Sequence, residues 1–335
     1  MKILGIETSC DETAAAVVED GKKVISNVVA SSSEMHAKTG GVIPENAARQ
    51  QIKSIIPVIN ESLEGLDKND IDAIAVTVGP GLIGSLLIGV ETAKTLAHLW
   101  NKPIVPVNHL VAHIYANWIN STPEFPALVL VVSGGHTDLV MMKNHGNFKW
   151  IGGTRDDAAG EAFDKCARLL SLLYPGGPSI SSAAEKFNFE NPKLEKKLFP
   201  RPLINDDNFD WSFSGLKTAV LRTVQNTKDI EQRVPEIAAE VQEAIVDSLV
   251  YKCQKAIDKF KPKSFLLSGG VAANSRLREK FMHEVFAKNE KTGLHVPEAK
   301  LCTDNAAAIA ACAYYNDKPV SWKKITANPE LTIVS

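Results

Sequence analysis

The chain has 335 residues with a hydrophobic fraction of 44%, which is too long for one ordinary core and predicts two globular lobes. Its 37 basic and 39 acidic residues give a net charge of −2, which excludes no partner class because a basic patch for nucleic acid can lie within a neutral total. Five cysteines without a Cys-x-x-Cys spacing argue against a disulfide framework, and no apolar run reaches the roughly 18 residues of a membrane span. The chain begins on strand-like residues without a signal segment, so we expect a cytoplasmic protein with no membrane contact.

The first predicted element is a β-hairpin over residues 3–18. Two apolar runs there flank a polar turn at residues 7–13, which is typical of paired antiparallel strands. Residues 128–142 repeat this plan around the turn at residues 133–138. The repeat predicts two related lobes, each built on a hairpin.

A second repeated unit consists of a strand, a glycine-rich turn and a helix. It occurs at residues 79–84, before a helix predicted over 85–100, and at residues 269–274, before a helix predicted over 275–288. Glycines let the backbone approach an anion, and the free N–H groups of a helix start face that charge. One such turn alone is a common feature of proteins and weak evidence of function. The two hairpin turns and these two turns, if all four faced one cleft, would indicate a phosphate site.

The remaining elements are predicted from apolar periodicity and from Pro and Gly content. A helix is expected across Phe163, Ala167 and Leu170, and the stripe of residues 237, 241, 245 and 249 is expected to pack in the core. The other predictions are an irregular turn at Tyr174–Pro178, an irregular insert at 186–210, helices at 216–224 and 235–260, and a helix at 305–315 that packs on the first lobe.

His109 and His113 are candidate metal ligands because a four-residue spacing places both imidazoles on one helical face. Leu110 stands where the zincin motif has its glutamate base, so a metalloprotease is disfavoured. Asp304, at the start of a helix, is a candidate third ligand, and two histidines with one carboxylate leave positions open for substrate. From spacing alone, two partly buried polar residues are the commoner interpretation of such a pair.

Nine motifs in one order resemble the universal tRNA threonylcarbamoyladenosine synthase family. They lie at residues 7–13, 79–85, 109–113, 132–136, 156–165, 174–178, 213–217, 268–274 and 302–305. The resemblance implies an α/β, two-lobed fold of the actin, Hsp70 and sugar-kinase (ASKHA) class, with duplicated ribonuclease-H-like lobes around a nucleotide cleft. We assign residues 1–120 plus 305–335 to lobe I, and residues 121–304 to lobe II.

The resemblance also implies an activity of the bacterial type: transfer of a threonylcarbamoyl group from threonylcarbamoyl-AMP to N6 of adenosine 37, in tRNAs that read codons beginning with A. It implies that His109, His113 and Asp304 bind one divalent metal ion per subunit, with Fe²⁺ favoured over Zn²⁺. Asp11 and Glu12 match acidic positions where the tRNA amine would arrive, and either one would accept its proton. The implied adenylate-binding residues are Val132, Ser133, Gly134, Gly135, His136, Asp164, Gly177 and Asn274.

Family members in bacteria work with a smaller paralogous subunit, through a helical pairing surface, and with a P-loop ATPase subunit. Both are therefore expected partners, beside tRNA and threonylcarbamoyl-AMP. The sequence departs from the family pattern at two positions. Ser181 stands where many members carry Asp, which weakens or removes a ribose contact, and Gln51 stands where a histidine is usual, so no titrating role belongs there.

Other functions compete with this one. An ATP-dependent kinase or ATPase of the same fold would not need the histidine pair with Asp304, because magnesium is held by phosphates and carboxylates. A metal-dependent glycopeptidase, the older label of the family, lacks a placed base. A non-enzymatic scaffold would leave the polar turns unexplained.

Overall fold

The computed structural model describes residues 1–190, 198–288, 291–316 and 318–334. The chain divides into two compact units. The first comprises Met1–Pro123, Met142–Phe148 and His295–Ser335, and the second comprises Glu124–Met141 and Lys149–Leu294. No helix in the described ranges is long and apolar enough to cross a bilayer.

Ten strands in the described residues form two five-stranded sheets. They are β1 (Lys2–Glu7), β2 (Glu12–Glu19), β3 (Lys23–Ser31), β4 (Ala73–Gly79), β5 (Ile104–Asn108), β6 (Ala127–Val132), β7 (Thr137–Asn144), β8 (Asn147–Gly153), β9 (Ser264–Ser268) and β10 (Gly293–His295). The first sheet has the order β3-β2-β1-β4-β5, and the second has the order β8-β7-β6-β9-β10.

The two sheets share one topology. In each sheet, the first two strands in chain order form a hairpin, and the second strand also pairs with the third. The fourth strand runs parallel to the first, as β4 does beside β1 and β9 beside β6. The predicted duplication and both predicted hairpins are therefore confirmed.

Twelve α-helices accompany the sheets in the described residues. They are α1 (Ser33–Thr39), α2 (Pro44–Ser62), α3 (Ile83–Trp100), α4 (His109–Tyr115), α5 (Asn117–Asn120), α6 (Ala159–Leu169), α7 (Gly176–Glu190), α8 (Ser214–Asn226), α9 (Ile230–Phe260), α10 (Ser275–Lys280), α11 (Ala299–Cys302) and α12 (Ala306–Tyr315). Phe281–Val285 and Phe286–Lys288 continue α10 in π and 3₁₀ geometry.

Close packing of α12 on β1 places the segment that carries Asp304. A Cβ atom on Gly5 would lie 2.3 Å from the carbonyl oxygen of Ala306, so only glycine allows this approach. The expected packing of this helix on the first lobe is confirmed, as is the buried stripe of α9, whose residues 237, 241, 245 and 249 are fully buried.

Proline positions account for two predictions that were wrong. The turn at Tyr174–Pro178 is not wholly irregular, because α7 already begins at Gly176. Pro178 lies in the first turn of that helix, where a missing N–H costs no intrahelical bond. The helix predicted from Pro235 begins at Ile230 instead. Pro often marks the first turn, but α9 continues through Pro235 at the loss of one bond.

The predicted insert at 186–210 is shorter than expected. Residues 186–190 belong to α7, residues 191–197 lie outside the described residues, and residues 198–210 contain neither helix nor strand.

The unit boundary also differs from the assigned lobes. The structure places residues 295–304 in the first unit, because His295 hydrogen-bonds Ser121 at 3.1 Å and Asn120 donates to Glu298 at 2.9 Å. Asp304 therefore belongs to the same unit as the histidine pair.

Candidate active site

The start of α4 fixes the position of the two histidines. The Asn108 side chain accepts hydrogen bonds from the N–H groups of Leu110 at 2.9 Å and Val111 at 3.2 Å, so the helix begins at His109. The two imidazoles then lie on consecutive turns, with ring centroids 4.5 Å apart. The Asn108 Nδ2 donates to the Thr332 carbonyl at 2.8 Å, so the C-terminal segment supports the same cap.

Asp304 lies beside both imidazoles. Its Oδ1 is 3.3 Å from His113 Nε2 and 3.6 Å from His109 Nε2. Ligands of one transition metal at bond lengths near 2.1 Å lie about 3.0–3.4 Å apart, so these separations suit one ion. The Nε2 of His113 is buried and has no hydrogen-bond partner in the described part of the chain. The three predicted ligands thus come together, and their donor set fits a divalent metal.

Glu7 is a functional residue that the sequence analysis missed. Its Oε2 lies 3.2 Å from His109 Nδ1, and its carboxylate also accepts from the Thr77 hydroxyl and, at 2.5 Å, from the Ser9 N–H. A carboxylate on the outer nitrogen of a histidine fixes the ring and raises its basicity as a ligand. The available signal was an acidic residue at the end of β1, within the first hairpin motif.

The charges in this centre reinforce one another. Burial lowers the pKa of His109, but the carboxylates of Glu7 and Asp304 raise it to about 9. Burial raises the pKa of Asp304, but the neighbouring imidazoles of His109 and His113 lower it to about 2. His109 must lose its proton before its Nε2 lone pair can serve as a ligand.

Asp11 and Glu12 lie next to this centre. One carboxylate oxygen from each, together with one from Asp304, lie within 4.8 Å of one another. Burial, together with the hydrogen bond and charge of Asp11, raises the pKa of Glu12 to about 9. The raised pKa favours the protonated form of Glu12, and its Oε1 accepts from the Ser31 hydroxyl at 2.8 Å.

The second unit contains the glycine-rich loop that follows β6. The Ser133 N–H donates to the His136 carbonyl at 2.9 Å, and the Gly160 N–H donates to the Ser133 carbonyl at 3.2 Å. Added Cβ atoms on Gly134 and Gly135 would meet nothing within 4 Å. The loop is thus held from behind by the start of α6, while its two glycines face open space.

Asp164 supports the neighbouring turn. Its Oδ1 accepts the Gly176 N–H at 2.7 Å, which fixes the start of α7. An added Cβ would lie 2.5 Å from the Asp164 Cα at Gly176, whereas it would meet nothing within 4 Å at Gly177. Gly177 therefore faces open space, and Gly176 provides the close approach that places it there.

Asn274 is joined to two residues that the sequence analysis left out of the site. Its Nδ2 donates to Ser181 Oγ at 2.9 Å and to Gln242 Oε1 at 3.0 Å, and its Oδ1 accepts the Leu277 N–H at 2.9 Å. The Ser181 hydroxyl also donates to Gln242 Oε1 at 2.7 Å. Both amide protons of Asn274 thus donate to other side chains of the protein. Ser181 takes part in this network, although it stands where many family members carry Asp.

Comparison with known proteins decides the family. The sequence profile of the tRNA N6-adenosine threonylcarbamoyltransferase family matches residues 23–311. The chain belongs to this family. A protein of that name from Bacillus thuringiensis subsp. konkukian is 51% identical over 99% of this chain and 97% of its own length. Namesakes from Bacillus subtilis and Thermomicrobium roseum are 52% and 47% identical, over 93% and 94% of this chain and 89% and 92% of their own lengths.

Solved structures with lower identity confirm the fold class. A full-length HypF in the phosphate- and nucleotide-bound form has a TM-score of 0.59 at 12% identity, covering 93% of this chain and 55% of its own. Component A of the Acidaminococcus fermentans (R)-2-hydroxyglutaryl-CoA dehydratase has a TM-score of 0.51 at 15% identity, covering 94% and 98%. Membership of the threonylcarbamoyltransferase family makes the chain a transferase that acts on tRNA, and it favours neither the kinase nor the glycopeptidase alternative.

Proposed function

We propose that this chain transfers the threonylcarbamoyl group from threonylcarbamoyl-AMP to N6 of adenosine 37, in tRNAs that read codons beginning with A, and releases AMP. The observation that carries the proposal is the convergence of His109, His113 and Asp304 beside the acidic pair of the first hairpin turn. A kinase of this fold has no need of two imidazoles.

The chemistry needs an activated carbonyl and a base. A divalent metal, Fe²⁺ in preference to Zn²⁺, bound by these three ligands would supply a Lewis acid for the charge that develops on the carbamoyl oxygen. The adenine amine is a weak nucleophile, so its proton must leave as the new bond forms. We assign Asp11 as the acceptor because the raised pKa of Glu12 favours its protonated form, and its carboxyl already accepts a hydrogen bond from Ser31.

The direct experiment is to incubate the purified chain, with and without the paralogous and P-loop ATPase subunits, with threonylcarbamoyl-AMP and unmodified tRNA, and to measure the modified nucleoside by mass spectrometry. We expect one threonylcarbamoyladenosine per tRNA at position 37, with AMP in equal amount. Hydrolysis of the donor without any modified nucleoside would overturn the proposal.

We propose that the loop at residues 132–136, with Gly177, binds the adenylate. Gly177→Ala is expected to weaken AMP binding at least tenfold in calorimetry without lowering the melting temperature, since its Cβ would occupy open space. Gly176→Ala is the matched control. Its Cβ would meet backbone at 2.5 Å, so it should cost about 1–3 kcal/mol of stability. Wild-type AMP affinity in Gly177→Ala would remove Gly177 from the site.

We propose that the smaller paralogous subunit docks on the outer face of α2 and α3, and that a P-loop ATPase subunit joins the complex in the cytoplasm. Ile52 and Ile56 on α2, with Ile83 and Leu87 on α3, are between 44% and 63% exposed. Adjacent helices with such paired apolar side chains are typical of helix-to-helix docking.

Ile52→Asp with Ile56→Asp should abolish co-elution with the paralogous subunit. The melting temperature of the isolated chain should not change, because both side chains are exposed. Retained co-elution would place the docking face elsewhere.

Sedimentation of the chain with cell membranes rather than with cytosolic tRNA would contradict the cytoplasmic assignment.

A further inference from the structure

The carbonyl groups of residues 9–12, in the first hairpin turn, accept hydrogen bonds from other parts of the unit. The Ser9 carbonyl accepts the Leu82 N–H at 2.8 Å. The Asp11 carbonyl accepts the Ser32 hydroxyl at 2.6 Å and the Ser32 N–H at 3.3 Å. These bonds come from the residues that directly precede α1 and α3, so the turn that carries the acidic pair does not depend on β1 and β2 alone.

Two further carbonyls of this turn accept hydrogen bonds from one side chain. The Nε2 of Gln51 donates to the carbonyls of Cys10 and Glu12, each at 3.0 Å. These are the residues on either side of Asp11, so one amide brackets the proposed base. Ser85 adds a bond to the Cys10 carbonyl at 3.1 Å, whereas no other bond to the Glu12 carbonyl from a side chain occurs in the described residues.

The chemistry of the amide suits this task. Gln51 is only 1% exposed, and its Oε1 is buried without a hydrogen-bond partner in the described ranges. Turning the amide over would set this oxygen against two carbonyl oxygens, so the NH₂ group must face the turn. A buried amide that leaves its acceptor unsatisfied is retained for its two donors.

We infer that Gln51 is a positioning residue, which holds Asp11 beside Asp304 by fixing the carbonyls on either side of it. Its effect on transfer rests on the proposed function, but its effect on the turn does not. A neutral imidazole at this position would offer a single N–H donor where the amide offers two. This chain instead uses a side chain whose two donors are present at every pH.

The test compares Gln51→Ala and Gln51→His with wild type, and uses Gln50→Ala as the control because Gln50 is the exposed neighbour on the same helix. Gln51→Ala should lower kcat for transfer at least tenfold, with KM for the donor and metal content unchanged. Gln51→His should recover part of the loss. Gln50→Ala should behave as wild type.

Hydrogen exchange provides a readout that does not require activity. A peptide covering residues 8–13 should exchange faster in Gln51→Ala than in wild type, and at the wild-type rate in Gln50→Ala. Unchanged exchange, or a kcat within twofold of wild type, would overturn the inference. If wild type itself formed no modified nucleoside, the proposed function would fail, while the exchange result would still decide whether Gln51 fixes the turn.

Discussion

Asp11→Ala should lower the rate of transfer to tRNA by about 10²–10⁴-fold, which is the range for loss of a general base. The amine of adenine would keep its proton as the bond to the carbamoyl carbon forms, so the barrier would rise. AMP binding should stay at the wild-type value, because the proposed adenylate residues belong to the second unit. Single-turnover formation of the modified nucleoside and calorimetric titration with AMP measure the two quantities.

Glu12→Gln is the matched control for Asp11→Ala. The raised pKa of Glu12 favours its protonated form, so a neutral amide of the same shape preserves its charge and its contact with Ser31. We expect a loss of less than tenfold. The base assignment would be reversed if Glu12→Gln lost transfer and Asp11→Ala kept it.

Local sequence patterns, with a period of two in strands and a four-residue spacing in helices, predicted much of the fold and of the candidate metal centre. The repeated hairpins predicted the duplicated sheets because a hairpin is a local structure, set by apolar runs and a polar turn. The spacing of His109 and His113 predicted a common helical face for the same reason. The third candidate ligand, Asp304, lies far along the chain from His113. Its place at the start of a helix made it a candidate, and the family motifs supported its connection to the pair.

Contacts between distant segments could not be predicted from local patterns. Glu7 supports His109 because β1 and β5 both lie beside β4 in one sheet, which is a property of topology. The network of Ser181, Gln242 and Asn274 joins α7 and α9 to the residue that caps α10. Ser181 was set aside because it lacks the usual carboxylate. A hydroxyl does not reveal its partners in the sequence, so its role appeared only in the structure.

His113→Ala should remove most of the bound metal. The wild-type chain, loaded with Fe²⁺ or Zn²⁺ and then dialysed, should hold about one ion per chain, because three candidate ligand atoms lie within 4.8 Å of one another. The variant should hold close to none, since two ligands bind far more weakly than three. Elemental analysis by mass spectrometry measures the stoichiometry, and circular dichroism confirms that the variant is folded.

Two further variants distinguish the loss of a direct ligand from the loss of the carboxylate that supports it. His283→Ala changes an exposed histidine of the second unit, and it should leave the metal content unchanged. Glu7→Gln keeps all three ligands but removes the charge behind His109, so it should weaken metal affinity by about 10–100-fold while one ion still binds at saturation. Full stoichiometry in His113→Ala would mean that the ion lies elsewhere. The buried Nε2 of His113 in the wild-type chain would then not be a metal ligand.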